Sequence, residues 1–288
     1  MIATPTFTER FSTLAGGYDV VLSDVWGVIH NGIAATAAAC DALTRFRGQG
    51  GTVMLITNAP RPGEVVTRFL DKLAVPRSAY DGIVSSGDVT RAAMAARPDK
   101  RVFHIGPERD LPIFDGLGLN FVPLAQADYV VCTGLRDDEV ETPESYRGEL
   151  GELLSRKMFM LCGNPDLVVE RGDKLIYCAG AIADLYGTLG GEVFYAGKPY
   201  RPIYDLALQR VADRRGALPA KKDVLAIGDS VRTDLRGAAD FGLDCLFVTA
   251  GIHAEELGDR HDPNLAALNK IFADAGVAPK AVTRRLAW

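Results

Sequence analysis

Short runs of β-branched and other apolar residues alternate with stretches of helical periodicity from one end of the chain to the other, and this alternation constrains the fold more than any other feature. Residues 20–23 (VVLS), 53–56 (VMLI), 83–85 (IVS), 224–227 (VLAI) and 245–248 (CLFV) are near-continuously apolar, as strands are when helices cover both faces of their sheet. Helical spacing recurs between them, at 37–46, 64–73, 89–96, 203–212 and 235–241. The pattern predicts an α/β protein built on a mainly parallel sheet. A second set of elements in the middle, strand-like at 102–105, 129–132 and 158–161 with helices near Leu111 and over 146–154, predicts an inserted α/β cap. With Arg97-Pro98-Asp99 and Gly190-Gly191 as punctuation, the expected division is a core of 1–98 and 192–288 and a cap of 99–191.

A chain of 288 residues, 48% of them hydrophobic, has room for one large domain and a smaller one. No apolar stretch reaches the roughly 18 residues that span a bilayer, and the N-terminus lacks the apolar run of a signal peptide, so no membrane partner and a cytoplasmic location are expected. The five cysteines (Cys40, Cys132, Cys162, Cys178, Cys245) form no C-x-x-C pair and read as reduced core residues. A net charge of −5 with no basic block argues against nucleic acid. The acidic run 136–141 (RDDEVE) reads as a solvated loop without a function of its own.

In an open parallel sheet, ligands bind beyond the carboxyl ends of the strands, so polar residues directly after apolar runs are the candidates for chemistry. Four places qualify: Asp24 after VVLS, Thr57-Asn58 after VMLI, Lys198 after VFYAG, and Asp229 within LAIGDSVRTD. Two carboxylates, a lysine and a hydroxyl suit a divalent cation and a phosphoryl group. Mg2+ prefers carboxylate and carbonyl oxygen, a lysine neutralises spreading phosphoryl charge, and Thr57 with nearby main-chain N–H groups donates hydrogen bonds. Singly, each reads as a helix cap, a turn or a loop. Together, in this order, and closed by G-D-x-x-x-x-D (Gly228, Asp229, Asp234), they point to one site.

These residues resemble the haloacid dehalogenase superfamily over almost the full length, in the class IIA branch with NagD-like and 4-nitrophenyl-phosphatase-like caps. Asp24-Val25-Trp26-Gly27-Val28 is similar to the nucleophile motif, Ile56-Thr57-Asn58 to the second, Gly197-Lys198-Pro199 to the third, and Gly228-Asp229-Ser230 through Thr233-Asp234 to the fourth. Asn164-Pro165-Asp166 and the Gly-Ala-rich Ala179–Ala183 resemble two further family features. The resemblance implies a doubly wound, Rossmann-like core and an inserted α/β cap domain of the class IIA kind. It implies a Mg2+-dependent hydrolase of a small phosphorylated metabolite, working through an aspartyl-phosphate on Asp24 with Lys198 as catalytic partner. Asp24, Asp229 and the main-chain carbonyl of Trp26 would hold Mg2+ with Asp234 in support, while Thr57, Asn58, Lys198, Asn164 and Asp166 would meet the substrate. Oligomeric state is left open, with a homodimer compatible.

The chain departs from the family at one position. Phosphatases of this type carry a second Asp two residues after the nucleophile, to protonate the leaving group, and here that residue is Trp26. Indole does not titrate near neutral pH, and losing a proton-transfer group removes about 10²- to 10⁴-fold in rate. Weak phosphatase turnover is expected, and a catalytically impaired phosphometabolite-binding or sensor protein is the alternative. His30 is the nearby side chain with a suitable unperturbed pKa, and either packing or the acid role is open to it. His104, His253 and His261 share no metal-site spacing. No G-x-G-x-x-G turn or P-loop is present, which excludes those nucleotide-binding classes.

Overall fold

A computed structural model describes residues 5–171, 174–258 and 263–288, so His261 lies outside the described residues. In chain order the strands are β1 (Thr6–Phe7), β2 (Val20–Ser23), β3 (Thr52–Thr57), β4 (Gly82–Ser85), β5 (Arg101–Ile105), β6 (Asn120–Phe121), β7 (Tyr129–Cys132), β8 (Phe159–Cys162), β9 (Val168–Arg171), β10 (Lys174–Tyr177), β11 (Glu192–Tyr195), β12 (Val224–Gly228), β13 (Asp244–Val248) and β14 (Ala281–Thr283). They form a seven-stranded sheet in the order β1-β14-β13-β12-β2-β3-β4, a five-stranded sheet in the order β11-β8-β7-β5-β6, and the antiparallel hairpin β9–β10.

The chain gathers into two compact units, one of residues 1–57, 67–84 and 204–288, the other of residues 58–66 and 85–203. In the first unit β2 and β3 are buried at every position, as strands covered by helices on both faces must be. From β2 the chain winds outward through β3 to β4, and from β12 it winds the other way through β13 to β14. The order therefore reverses between β2 and β12, which makes their shared carboxyl end the switch point of the sheet. Strand β12 pairs with β2 in parallel, with Ile227 opposite Ser23, so both strands end level.

In the second unit β11-β8, β8-β7, β7-β5 and β5-β6 are parallel pairs. Their core includes Val130, Cys132, Met160, Cys162, Tyr146, Leu150, Ile182 and Tyr186, all buried. Strand β11 lies on the far side of the expected edge at 191, yet it pairs with β8, Val193 opposite Met160. The apolar run VFYAG therefore continues the five-stranded sheet. Neither sequence-expected hinge divides the units. Arg97 is held over the rings of Tyr129 and Phe159, at 4.7 and 4.8 Å, and Gly191 lies so close to Tyr186 that a Cβ there would come within 2.3 Å of the ring.

Helix boundaries moved where side chains cap them. The helix expected from residue 89 starts at Ser86, because Ser85 Oγ accepts the Asp88 N–H at 2.9 Å while Asp88 Oδ2 accepts the Ser85 N–H at 3.2 Å. The acidic run 136–141 is more than a solvated loop. Asp138 is an acceptor for Arg109 and Arg171, Glu139 pairs with Arg171 and Lys174, and Arg136 pairs with Glu149. All five cysteines are buried thiols outside any disulfide, as expected. No helix among the described residues is long and apolar enough to cross a membrane.

Candidate active site

Level strand ends at the switch point bring two sequence-distant carboxylates together. Asp24 follows β2 and donates its N–H to Ile227 O at 2.7 Å, which ties it to the carboxyl end of β12 just before Asp229. Asp229 follows Gly228 at the end of β12. Asp234 then enters through a π-helical turn over Val231–Leu235, closed by Leu235 N–H donating five residues back to Ser230 O at 3.0 Å. The expected helix from residue 235 thus begins only at Arg236, after the π-helical turn that carries Asp234. Asp24, Asp229 and Asp234 are 7%, 4% and 3% exposed, and each offers an oxygen within 4.8 Å of the others. Three buried carboxylates at that spacing repel one another, and a hard cation is the chemistry that such an oxygen set fits.

Main-chain groups frame these carboxylates. Ile252 N–H donates to Asp229 Oδ2 at 2.8 Å, and Ser230 N–H to Asp234 Oδ2 at 3.1 Å. Gly27, at φ +85°, lies so near Asp229 that a Cβ there would sit 2.0 Å from Oδ2, and at Gly251 the figure is 1.8 Å. The Gly27 backbone therefore lies against the Asp229 carboxylate with no room for a side chain. Thr57, 7% exposed, ends β3 beside β2.

The indole of Trp26 packs onto the segment that follows it. A Cβ at Gly32, φ +86°, would come within 2.6 Å of Trp26 Cη2, and the His30 ring meets the indole edge-on at 5.1 Å. His30 is 2% exposed, its Nδ1 accepts the Gly32 N–H at 2.9 Å, and its other side faces Phe69. Burial pushes this imidazole down to about 4. At neutral pH it is therefore uncharged and wedged between aromatic rings, which is the packing role rather than that of a replacement acid.

Lys198, Asn58, Asn164 and Asp166 belong to the second unit. Lys198 follows β11, so its strand is in the five-stranded sheet, not the seven-stranded one. The Asn58 amide accepts the Lys198 N–H at 2.7 Å and donates to Lys198 O at 3.0 Å and to Asp166 Oδ1 at 2.8 Å. Asn164 Oδ1 accepts the Asp166 N–H at 3.1 Å, a side-chain turn that shapes the Asn164-Pro165-Asp166 corner. The helix Ala179–Thr188 reaches that corner through Gly180, where a Cβ would lie 2.3 Å from Pro165 O.

The family model for haloacid dehalogenase-like hydrolases matches residues 21–120, and a second model for HAD-like hydrolases matches residues 195–275. A solved hydrolase of the haloacid dehalogenase-like family from Brucella suis 1330 is 48% identical, with a TM-score of 0.87, over 98% of this chain and 100% of that one. The chain belongs to the haloacid dehalogenase-like hydrolases. It shares the class IIA fold of NagD from Escherichia coli K-12, at 18% identity and a TM-score of 0.66 over 92% of this chain and 96% of that one. Among curated proteins, the 5'-nucleotidase YutF of Bacillus subtilis is 24% identical over 242 residues, 83% of this chain and 90% of that protein.

In this haloacid dehalogenase-like hydrolase the structure brings three of the sequence candidates, Asp24, Asp229 and Asp234, together, and it adds neighbours that the sequence reading did not name as site residues. Gly251 and Ile252 were overlooked, and His253 was weighed only as a metal ligand, although all three follow the apolar run of β13, where the strand-end rule would have flagged them. Gly27 stood inside a recognised motif, but its closeness to Asp229 is a property of the folded backbone.

Proposed function

We propose that the chain is a Mg2+-dependent phosphatase of small phosphorylated metabolites, with Asp24 as the nucleophile. The observation that carries this reading is the buried cluster of Asp24, Asp229 and Asp234 at the switch point of the first unit. Asp24, Asp229 and the carbonyl of Trp26 would hold the ion, and Asp234 would order the turn beside it. When bound, Mg2+ neutralises charge on the phosphoryl oxygens.

Within this reading the Asp24 carboxylate attacks phosphorus in line as the P–O bond to the leaving alkoxide or phenolate breaks, and water then hydrolyses the aspartyl-phosphate to inorganic phosphate and free Asp24. Thr57 donates a hydrogen bond to the phosphoryl group, and Lys198 supplies its point charge, an assignment supported by the motif order in the sequence. Asn58 acts through Lys198, since its amide is engaged with the lysine main chain and Asp166. The inserted residues, with Asn164 and Asp166 among them, select the substrate. Trp26 offers no proton, so substrates with good leaving groups turn over best. The sensor alternative has no observation in its favour. Five buried cysteines outside any disulfide suit a reducing compartment.

Calorimetric titration with Mg2+ tests the proposal. Wild type should bind one ion and Asp229→Asn should lose at least about 10-fold in affinity; equal affinity in both proteins would refute the metal assignment.

A further inference from the structure

We infer that His253 and Glu256 form a positioning couple for the two carboxylates Asp229 and Asp234, an inference that rests on the Mg2+ reading above. The segment after β13 contacts Asp229 and the turn that carries Asp234. Ile252 N–H donates directly to Asp229 Oδ2 at 2.8 Å. The next residue reaches the other arm of the cluster: His253 Nε2 accepts the N–H of Val231 at 3.3 Å. Val231 opens the π-helical turn that carries Asp234, and the first amide of such a turn has no acceptor within it. His253 supplies that acceptor from outside.

The acceptor role requires one tautomer. Nε2 can accept only if the proton sits on Nδ1, and Nδ1 lies 2.9 Å from Glu256 Oε2, a carboxylate that can only accept. Glu256 therefore selects the Nδ1–H form and turns the Nε2 lone pair toward Val231. The Glu256 side chain is 61% exposed, where an ion pair adds little stability. What the contact supplies is the orientation of the ring, as second partners do for metal-site histidines. The ring of Phe247 flanks His253 at 6.1 Å, and Gly251, with no space for a Cβ, keeps the segment against Asp229. Neither His253 nor Glu256 touches the reacting groups.

Calorimetric Mg2+ titration of wild type, Asp229→Asn, His253→Ala, His253→Gln and Glu256→Ala tests the couple, with thermal unfolding in the absence of Mg2+ as the folding control. Glutamine places an oxygen near the Nε2 position and can still accept from Val231. Expected are a loss of about 10-fold in His253→Ala, recovery to within about 3-fold of wild type in His253→Gln, and a loss of about 3-fold in Glu256→Ala. If His253→Ala keeps wild-type affinity while Asp229→Asn loses it, the couple is refuted and the metal reading stands. A glutamine variant as weak as the alanine variant also refutes it, because the ring would then act by filling space. Should His253→Ala fail to fold, Glu256→Ala decides, its exposed site being tolerant, and wild-type affinity there refutes the couple. Wild type that binds no Mg2+ removes the metal reading, and this inference with it.

Discussion

The side-chain amide of Asn58 grips the main chain of Lys198 on both sides, Oδ1 accepting its N–H at 2.7 Å and Nδ2 donating to its C=O at 3.0 Å. Residues 140 positions apart are thereby joined as a strand pair would join them, and both are buried. Asn58→Asp keeps an acceptor for the N–H but removes the donor and sets a carboxylate beside Lys198 O and Asp166. A buried acceptor left unmatched costs about 1–3 kcal/mol. If Lys198 serves the phosphoryl group, inhibition by orthovanadate should weaken at least about 10-fold in Asn58→Asp, as in Lys198→Ala. Unchanged vanadate inhibition in both variants would separate this clamp from the chemistry.

Gly27→Ala should damage the carboxylate cluster without replacing any of its members. Its Cβ would fall 2.0 Å from Asp229 Oδ2, at a φ of +85° that side chains rarely adopt. A Mg2+ affinity reduced at least about 10-fold, and a stability loss of roughly 1–3 kcal/mol by urea unfolding, are expected. Wild-type Mg2+ affinity in the variant would mean that the backbone there yields freely.

A pH effect on stability is expected from His104 in the second unit. Burial, with the nearby Arg136 charge, pushes its imidazole from 6.5 down to about 4, and its Nε2 lies 2.9 Å from Thr133 Oγ1. Between those two values the unfolded chain binds a proton that the folded chain does not, so stability rises with pH through this window and is level above it. From pH 7.5 to pH 5 the loss is about 2 kcal/mol for this one residue. Urea unfolding at both pH values should show His104→Asn losing less than wild type by about that amount, and equal losses would contradict the assignment.

Much of the fold was legible because apolar runs report burial directly. Strands β2, β3, β7, β12 and β13 coincide with their sequence patterns to within a residue or so. The short β1, β6 and β14 were not seen, since two or three residues carry no periodicity. The hairpin β9–β10 lacks a clear apolar face, with Leu175 at 65% exposure. Membership of a sheet is also invisible locally: VFYAG reads as a strand but not as a neighbour of β8. For the site, Asp24, Asp229 and Asp234 were legible because side-chain chemistry is written in the sequence. Partners of these groups include the main-chain N–H groups of Ile252 and Ser230, which every residue but proline carries.

Trp26→Asp should shift substrate preference. A restored carboxyl matters most when the leaving alkoxide is basic, and least for a nitrophenolate that departs without protonation. Turnover of an alkyl phosphate should rise relative to 4-nitrophenyl phosphate, with the indole-sized space holding the gain below the full factor of about 10² to 10⁴. A ratio between the two substrates equal to that of wild type would show that Trp26 has no bearing on leaving-group protonation. His30, uncharged and packed between Trp26 and Phe69, should not change this ratio when replaced by Asn.

Phosphate release from 4-nitrophenyl phosphate, measured with and without Mg2+ in wild type and in Asp24→Asn, tests most directly whether the carboxylate cluster is a phosphoryl-transfer site. Release that needs Mg2+ and falls at least about 10³-fold in Asp24→Asn is the expected result. Release that is independent of Mg2+, or that survives the loss of the Asp24 carboxylate, would contradict it.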